Sequence, residues 1–144
     1  MIDRAAPLVF IVDDDSSVRR SLARLVRAAG FDVETFASAR EFLARPAYDG
    51  VSCLVLDVRM PDVTGLDLQE ALAAAGQRVS IVFITGFPDV RARATAMEAG
   101  AIDFLSKPVN DRDLLDAIER AVTRSRGARP DQPESQGLRI ASRP

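Results

Sequence analysis

The chain has 144 residues, of which 47% are apolar, and its 19 basic and 21 acidic side chains leave a formal net charge of −2. It contains no histidine and a single cysteine, Cys53. The lack of histidine excludes Ser-His-Asp and Cys-His catalysis and imidazole metal sites, and one cysteine excludes an internal disulfide framework. The near-neutral charge does not indicate a nucleic-acid or anionic-membrane surface, so we expect no direct binding to either.

The first apolar run of the chain, Leu8 to Val12, bears on where the chain is found. This run is too short for the hydrophobic part of a signal peptide and far too short to span a bilayer. The expected location is therefore the cytoplasm. The basic residues are unusual in kind, because Lys107 is the single lysine and the other 18 are arginine.

Five short apolar runs recur along the chain, and each is followed by a stretch with helical periodicity. The runs are apolar at consecutive positions, which is typical of strands buried on both faces of a sheet. The predicted strands are Leu8–Val12, Val33–Phe36, Cys53–Leu56, Ile81–Ile84 and Ile102–Leu105.

Helical patterns fill the intervals, with apolar residues three or four positions apart. The first helix is marked by Val18, Leu22, Leu25 and Val26 and ends before Gly30. The second has Ser38 as N-cap, Glu41 at the capping-box position, and Phe42 and Leu43 after it. The third is marked by Leu68, Leu72 and Ala75 before Gly76, and the fourth by Val90, Ala94 and Met97 before Gly100. The fifth has Asn110 as N-cap, Asp111 and Asp113 in its first turn, and a predicted buried side of Leu114, Leu115, Ile118 and Val122.

Five βα units in series predict an α/β fold with a parallel sheet, helices on both faces and right-handed crossovers. The segment after Arg124 holds three prolines, two glycines and few apolar residues. That composition is typical of a linker or a disordered tail. We therefore divide the chain into an N-terminal extension (1–6), one folded domain (7–124) and a linker or disordered tail (125–144).

Acidic residues concentrate where predicted strands end. Asp13, Asp14 and Asp15 follow the first strand, and Asp57 closes the third. In a sheet with strand order 2-1-3-4-5 these ends lie side by side, at the edge where open α/β sheets bind ligands. Carboxylates packed together need a cation or a shared proton. Because the donors are all oxygens, the expected cation is Mg²⁺.

A hydroxyl and an ammonium are predicted at the same edge. The fourth strand is followed by Thr85, and the fifth by Ser106, Lys107 and Pro108. A carboxylate nucleophile, a hard cation, a hydroxyl donor and an ammonium together suit phosphoryl transfer. Each residue alone is as well explained by a turn, a helix end or a solvated surface. Their joint placement at four strand ends favours the functional interpretation.

Four stretches resemble the receiver domain of two-component response regulators, the CheY-like family. They are VFIVDDD, CLVLDVRMPDVTGLDL, VFITGF and AGAIDFLSKP, and the match that they carry covers about residues 7–124, in order and with family spacing. The residues of the second and third stretches are most similar to those of the FixJ-type subgroup. The resemblance implies a flavodoxin-like (βα)5 three-layer sandwich with strand order 2-1-3-4-5.

The resemblance also assigns roles to individual residues. It implies Asp57 as phosphoacceptor, Asp14 as direct Mg²⁺ ligand, Asp13 as the acid that holds a metal-bound water, Arg59 as a ligand through its backbone carbonyl alone, Thr85 as the hydroxyl that turns toward the phosphoryl group, Lys107 as its cationic partner and Phe104 as the aromatic switch. It further implies a cis peptide between Lys107 and Pro108.

The implied function is that of a signalling phosphoacceptor, not an enzyme acting on an external substrate. Because the chain has no histidine, the phosphodonor is expected to be a separate sensor histidine kinase. The domain would catalyse its own phosphorylation and slow self-dephosphorylation. Phosphorylation-dependent homodimers and a DNA-binding output domain in a longer parent chain, acting in transcription regulation, are further implications of the FixJ-type resemblance.

Two other functions fit parts of the pattern. A pseudo-receiver would keep the fold without phosphorylation, but the full set of Asp13, Asp14, Asp57, Thr85 and Lys107 disfavours it. A Mg²⁺-dependent phosphatase with an aspartyl nucleophile would need a second acid near that nucleophile. Here Val58 and Arg59 follow Asp57 instead, and the compact chain offers no cap domain.

Overall fold

A computed structural model describes residues 6–127 of the chain. Within that range five strands alternate with five helices. In chain order the elements are β1 (Leu8–Val12), α1 (Ser16–Ala28), β2 (Asp32–Phe36), α2 (Ala39–Leu43), β3 (Ser52–Asp57), α3 (Gly65–Ala74), β4 (Ile81–Thr85), α4 (Val90–Glu98), β5 (Asp103–Ser106) and α5 (Asp111–Gly127). All five predicted strands are confirmed, β1 with the same bounds and the others within one residue at each end.

The strands form one parallel sheet in the order β2-β1-β3-β4-β5, so the predicted order is confirmed. β2 lies on one side of β1, and β3, β4 and β5 lie on the other, so the strand order reverses between β1 and β3. These two strands are hydrogen-bonded neighbours, with Val12 opposite Leu56. In an open α/β sheet the crevice for ligands lies at such a reversal, beyond the carboxyl ends of the strands. The fold therefore makes the loops after β1 and β3 adjacent.

Two apolar layers cover the two faces of the sheet, as a three-layer sandwich requires. Along β1 the side chains alternate, with Phe10 facing one layer and Ile11 the other. The first layer packs α2, α3 and α4 against the sheet, and the second packs α1 and α5. Because β1, β3 and β4 are buried throughout, the polar side chains that follow them start from a rigid base.

Helix boundaries follow the sequence closely, with one difference at a cap. Ser38 caps α2 as predicted and accepts a hydrogen bond from the Glu41 N–H at 3.1 Å. The Glu41 carboxylate, however, accepts from the N–H of Ala37 at 3.0 Å and not from that of Ser38. A reciprocal capping box forms instead at the start of α3, between Thr64 and Asp67. Both residue pairs have the spacing of a capping box, but only the pair at α3 is reciprocal.

Two predicted helix faces need correction. In α4, Val90 is 84% exposed and Ala94 is also exposed, while Ala96 is the buried residue of that helix. Ala92 lies one turn before Ala96 and shares its face, whereas Val90 points elsewhere around the axis. In α5, Leu115 is half-buried, because the small side chains of Ala117 and Ala121 complete the buried face in its place. Small residues let both helices lie close to the sheet.

Within residues 6–127, no helix has both the length and the apolar character that crossing a bilayer requires.

Gly65 brings the first turn of α3 against the end of β3. Its N–H donates to the carbonyl of Val58 at 2.9 Å. A Cβ added at Gly65 would overlap the backbone carbonyl of Asp57 and lie 3.0 Å from the Cα of Val58. Neither backbone atom can move without displacing β3, so α3 can pack here with glycine alone.

We therefore expect Gly65→Ala to lower the free energy of unfolding by about 1–3 kcal/mol through overpacking. The control is Gly127→Ala, because a Cβ at that position meets no atom within 4 Å. Urea denaturation should show a lower midpoint for Gly65→Ala and a midpoint near that of the wild type for Gly127→Ala. Equal midpoints in the two variants would show that the contact of α3 with β3 is not tight.

Candidate functional site

The carboxyl edge of the sheet carries the polar residues that the sequence places at strand ends. Asp13 directly follows β1, Asp57 is the last residue of β3, Thr85 is the last of β4, and Lys107 follows β5. The register sets Asp57 opposite Ile84 and Thr85 opposite Ser106, so these ends are level with one another. The structure thus places all four residues on one edge.

Three carboxylates converge there. Oxygen atoms of Asp13, Asp14 and Asp57 all lie within 4.8 Å of one another. The side chain of Asp13 is fully buried, Asp57 is 3% exposed, and Asp14 is open to solvent. Two buried like charges at this distance are unfavourable unless a cation or a proton lies between them.

Lys107 supplies one cation to this cluster. Its Nζ lies 2.8 Å from Oδ2 of Asp13 and 3.4 Å from Oδ2 of Asp57. Burial lowers the pKa of the Lys107 ammonium, but the adjacent carboxylates, Asp13 first, raise it by more, so the net pKa lies above its usual range. One ammonium faces three carboxylates, and the cluster retains an excess of negative charge.

Asp13 is held by its backbone and by one side-chain oxygen. Its N–H donates to the carbonyl of Phe36 at 3.1 Å, and Oδ1 accepts from the N–H of Asp15 at 2.9 Å. Its Oδ2 is buried and, among the described residues, has the charge of Lys107 beside it but no hydrogen bond of adequate geometry. This oxygen keeps a lone pair in a dehydrated position, where a metal or its bound water would satisfy it.

The environment of Asp57 changes its titration. Burial, and after it the charge of Asp13, raise the pKa of Asp57 from its ordinary 3.8, and the net pKa is about 6. The charge of Lys107 and the N–H of Arg59, which donates to Oδ1 at 3.2 Å, oppose that rise. A carboxyl of this kind is partly protonated near pH 6, and a nearby cation would favour its ionised form.

Thr85 and two neighbours form one wall of the site. The buried hydroxyl of Thr85 accepts a hydrogen bond from the N–H of Phe87 at 3.0 Å. The ring of Phe87 is 66% exposed, and the guanidinium of Arg59 lies 5.0 Å from its centroid. This cation–π pair was not predicted. The signal for it is an arginine two residues after Asp57 and an aromatic two residues after Thr85, on adjacent strands.

Phe104 lies in the core and not among the carboxylates. Its buried ring packs 6.0 Å from that of Phe83, the residue opposite it in the sheet. Its carbonyl accepts from Nη1 of Arg93 on α4 at 3.2 Å, which joins β5 to α4. The peptide bond between Lys107 and Pro108 is cis, as predicted.

The donor set of this edge fits Mg²⁺. It offers carboxylate oxygens and no nitrogen or sulfur ligand, as hard cations prefer. The negative excess of the cluster supports the same interpretation, and Oδ2 of Asp13, with the Lys107 ammonium 2.8 Å away but no hydrogen bond of adequate geometry, offers a further oxygen there. Of the predicted site residues, the structure brings Asp13, Asp14, Asp57 and Lys107 together. Thr85 ends β4, the strand next to that of Asp57, and Phe104 lies in the core on β5, the strand next to that of Thr85.

Comparisons with known proteins agree with the fold and identify a family. Residues 9–119 match the response regulator receiver domain family. Nodulation protein W of Bradyrhizobium diazoefficiens is 50% identical over 125 residues, which are 87% of this chain and 55% of that protein. The solved structure of the response regulator StyR is 47% identical with a TM-score of 0.84, covering 93% of this chain and 67% of that one. The FixJ-N crystal structure is 40% identical with a TM-score of 0.72, covering 85% and 96% respectively.

The fold and the acidic edge define a CheY-like, flavodoxin-like signalling domain. The chain belongs to the response regulator receiver domain family of two-component systems, and FixJ-type transcription regulators are among its relatives. Receiver domains are signalling phosphoacceptors that bind Mg²⁺ at an acidic pocket. The chain spans 55–61% of the length of the first curated relatives that it matches.

The raised pKa of Asp57 leads to a prediction for the metal-free protein. The folded state binds a proton at Asp57 more tightly than the unfolded chain, so stability falls as pH rises from about 4 to about 6. Asp57→Asn has no carboxyl to ionise at this position, so the variant should not lose this stability as the pH rises. We expect the variant to gain about 2–3 kcal/mol over the wild type between pH 4 and pH 7.

Urea unfolding in EDTA across this pH range measures that gain. Asp116→Asn, a change of the same kind on the exposed side of α5, is the matched control and should follow the wild type at every pH. A stability difference between Asp57→Asn and the wild type that does not change with pH would contradict the electrostatic account of the cluster.

Proposed function

We propose that this receiver domain takes a phosphoryl group onto Asp57 from a phosphohistidine of a separate sensor histidine kinase. The observation that carries the proposal is the position of Asp57 within reach of two acids and one ammonium at the carboxyl edge of the sheet. The chain has no histidine of its own to serve as donor. The family membership supports the same reaction.

In the proposed transfer, a carboxylate oxygen of Asp57 attacks the phosphorus of the donor in line. The new O–P bond forms as the P–N bond to the imidazole breaks, and the imidazole nitrogen leaves with the electron pair. The ammonium of Lys107, now 3.4 Å from Oδ2 of Asp57, is close enough to offset charge on the transferred oxygens. The hydroxyl of Thr85 is the proposed donor to one of them.

Mg²⁺ is the proposed cofactor. Asp14 and Asp57 would bind it directly, Asp13 through a water, and Arg59 through its backbone carbonyl. When bound, it would offset negative charge on the phosphoryl oxygens. The exposed side chain of Arg59 lies on the Phe87 ring, which is consistent with a contribution from its backbone alone.

The proposed output is a two-state change on the face formed by α4, β5 and α5. Turning toward the phosphoryl group takes the Thr85 hydroxyl away from the N–H of Phe87, and Phe104 repacks in the space behind it. A movement of Phe104 would be coupled to α4 through the hydrogen bond that Arg93 of α4 donates to the Phe104 carbonyl. α4 has Ala96 as its fully buried residue, with Ala92 and Met97 partly buried against the same layer, so less apolar packing opposes its movement than that of α5.

The alternatives are weaker for particular reasons. A pseudo-receiver would not need a half-buried lysine that contacts both Asp13 and Asp57. An aspartyl phosphatase would need a second acid placed as general acid beside its nucleophile, whereas Arg59 takes the corresponding place on the outer wall and stacks on Phe87. Slow self-dephosphorylation of Asp57 is part of the proposal and acts as a timer.

Several wider proposals rest on the relatives. The receiver would span residues 7–124, after an extension of 1–6, and act in the cytoplasm. The tail boundary at 125 needs correction, because residues 125–127 continue α5 and the Ser125 hydroxyl accepts from the N–H of Ser52 at 3.0 Å. The rest of the proposed linker or tail, from 128 onward, lies outside the described residues. A phosphorylation-dependent homodimer, and a DNA-binding output domain in a longer parent chain, would complete a transcription regulator.

The phosphoacceptor assignment can be tested with a small-molecule donor. Incubation with acetyl phosphate and Mg²⁺ should increase the mass of the intact protein by one phosphoryl group, and EDTA should prevent this. Asp57→Asn should take up none, because an amide oxygen is too weak a nucleophile. Asp116→Asn should be phosphorylated as the wild type is. Uptake of the group by Asp57→Asn would disprove the assignment.

The role of Lys107 can be separated from the chemistry with Lys107→Arg, which keeps the charge but replaces a compact ammonium by a planar fork. We expect phosphorylation to persist, within about tenfold in rate, and the structural response to weaken by about half or more. Amide hydrogen exchange in α4 and β5, before and after phosphorylation, measures the response. Arg112→Lys on the exposed side of α5 is the control, and an unchanged response in Lys107→Arg would refute the coupling role.

A further inference from the structure

Arg19 makes a contact with the site that neither the sequence nor the proposed mechanism assigns. It lies in the first turns of α1, and its Nη1 donates to the backbone carbonyl of Asp13 at 2.7 Å. A cation is unfavourable at this end of a helix, because the helix dipole is positive there. Arg20, beside it, is exposed and makes no side-chain contact among the described residues. Of the two arginines, Arg19 is the one with a partner.

The partner atom determines what this contact can do. The carbonyl of Asp13 belongs to the peptide plane that joins Asp13 to Asp14. The N–H of this plane is that of Asp14, and among the described residues it has no hydrogen bond, so the bond from Arg19 to the carbonyl is the one that holds the plane. The side chain of Asp14 is exposed and, within residues 6–127, has no hydrogen bond or ion pair of its own. Its direction therefore depends on the peptide that precedes it.

We propose that Arg19 is a positioning residue for the metal-binding acids, which orients the Asp13–Asp14 peptide so that the Asp14 carboxylate faces those of Asp13 and Asp57. This inference rests on the proposed function, since it concerns the same Mg²⁺ site. Arg19 acts through the backbone and has no contact with the metal. In this respect it resembles the outer partners of metal ligands, whose loss typically costs about 10–100-fold in affinity.

The charge of Arg19 works against its proposed effect, and this makes the proposal sharp. A positive side chain near three carboxylates repels Mg²⁺, so removing the charge alone should strengthen metal binding. Removing the hydrogen bond should weaken it. The two contributions have opposite signs, and a loss of affinity can come from the lost orientation but not from the lost charge.

The test is calorimetric titration of MgCl₂ into the wild-type chain and four variants at about 0.15 M ionic strength, where surface charges are screened. Arg19→Gln and Arg19→Met remove the guanidinium, and both should lower Mg²⁺ affinity about tenfold. Arg19→Lys, which retains one donor, should restore part of it. Arg20→Gln removes the same charge one residue away and should leave affinity unchanged or raise it by less than about twofold.

A kinetic measurement gives an independent readout. With acetyl phosphate as donor, the Mg²⁺ concentration for half-maximal phosphorylation should rise in Arg19→Gln by the same factor as the affinity falls. The rate at saturating Mg²⁺ should stay within about twofold of the wild type, because Arg19 does not touch the reacting atoms.

Several results would overturn the proposal. The first is an Mg²⁺ affinity in Arg19→Gln equal to or above that of the wild type, and the second is the absence of Mg²⁺ binding in the wild type. The third is that Arg19→Gln and Arg19→Met are unfolded without Mg²⁺ and that Arg19→Lys restores folding and binding together, which would make the role of Arg19 structural. If the wild type binds Mg²⁺ but takes no phosphoryl group, the proposed function fails while the calorimetric test of Arg19 remains valid.

Discussion

The structure depends on one electrostatic constraint: the carboxylates of Asp13 and Asp57 are buried together, and Lys107 alone among the described cations contacts both. Burying like charges is costly, and the rise in the pKa of Asp57 to about 6 is a direct consequence. The protein tolerates this cost because the apolar layers on both faces of the sheet hold the strand ends in place. A cation bound between these carboxylates would offset their repulsion and stabilise the folded state.

The parallel topology is what makes this placement possible. Asp13 and Asp57 follow strands that are adjacent in the sheet but separated in the chain by β2 and its flanking helices. The close approach of α3 at Gly65 fixes the end of β3 from the other side. Lys107 follows β5, which lies two strands from β3 and three from β1. Its long side chain crosses the end of β4, where Thr85 lies, to contact both Asp57 and Asp13. No single loop contains the site.

How much of this could be predicted depends on the kind of signal. The strands follow from continuous apolar runs, whereas their order was implied by the resemblance to receiver domains. The positions of Asp13, Asp57, Thr85 and Lys107 follow from the strand ends. The exposed position of Val90 was not predictable, because the alanines of α4 give no apolar contrast between its faces. The contact of Arg19 with the Asp13 carbonyl was also missed, since a long side chain that binds a backbone atom leaves no periodic trace in the sequence.

The hydrogen bond of Thr85 indicates the scale on which the proposed switch works. Its hydroxyl now accepts from the N–H of Phe87 at 3.0 Å, a neutral bond whose net contribution is about 1 kcal/mol. A bond from the same hydroxyl to a phosphoryl oxygen is charge-assisted and contributes about 1.5–3 kcal/mol. The difference of about 0.5–2 kcal/mol corresponds to a population shift of roughly twofold to thirtyfold. In the proposed switch, one hydroxyl would therefore bias the equilibrium without fixing it, and the contributions proposed for Lys107 and Phe104 would have to complete the response.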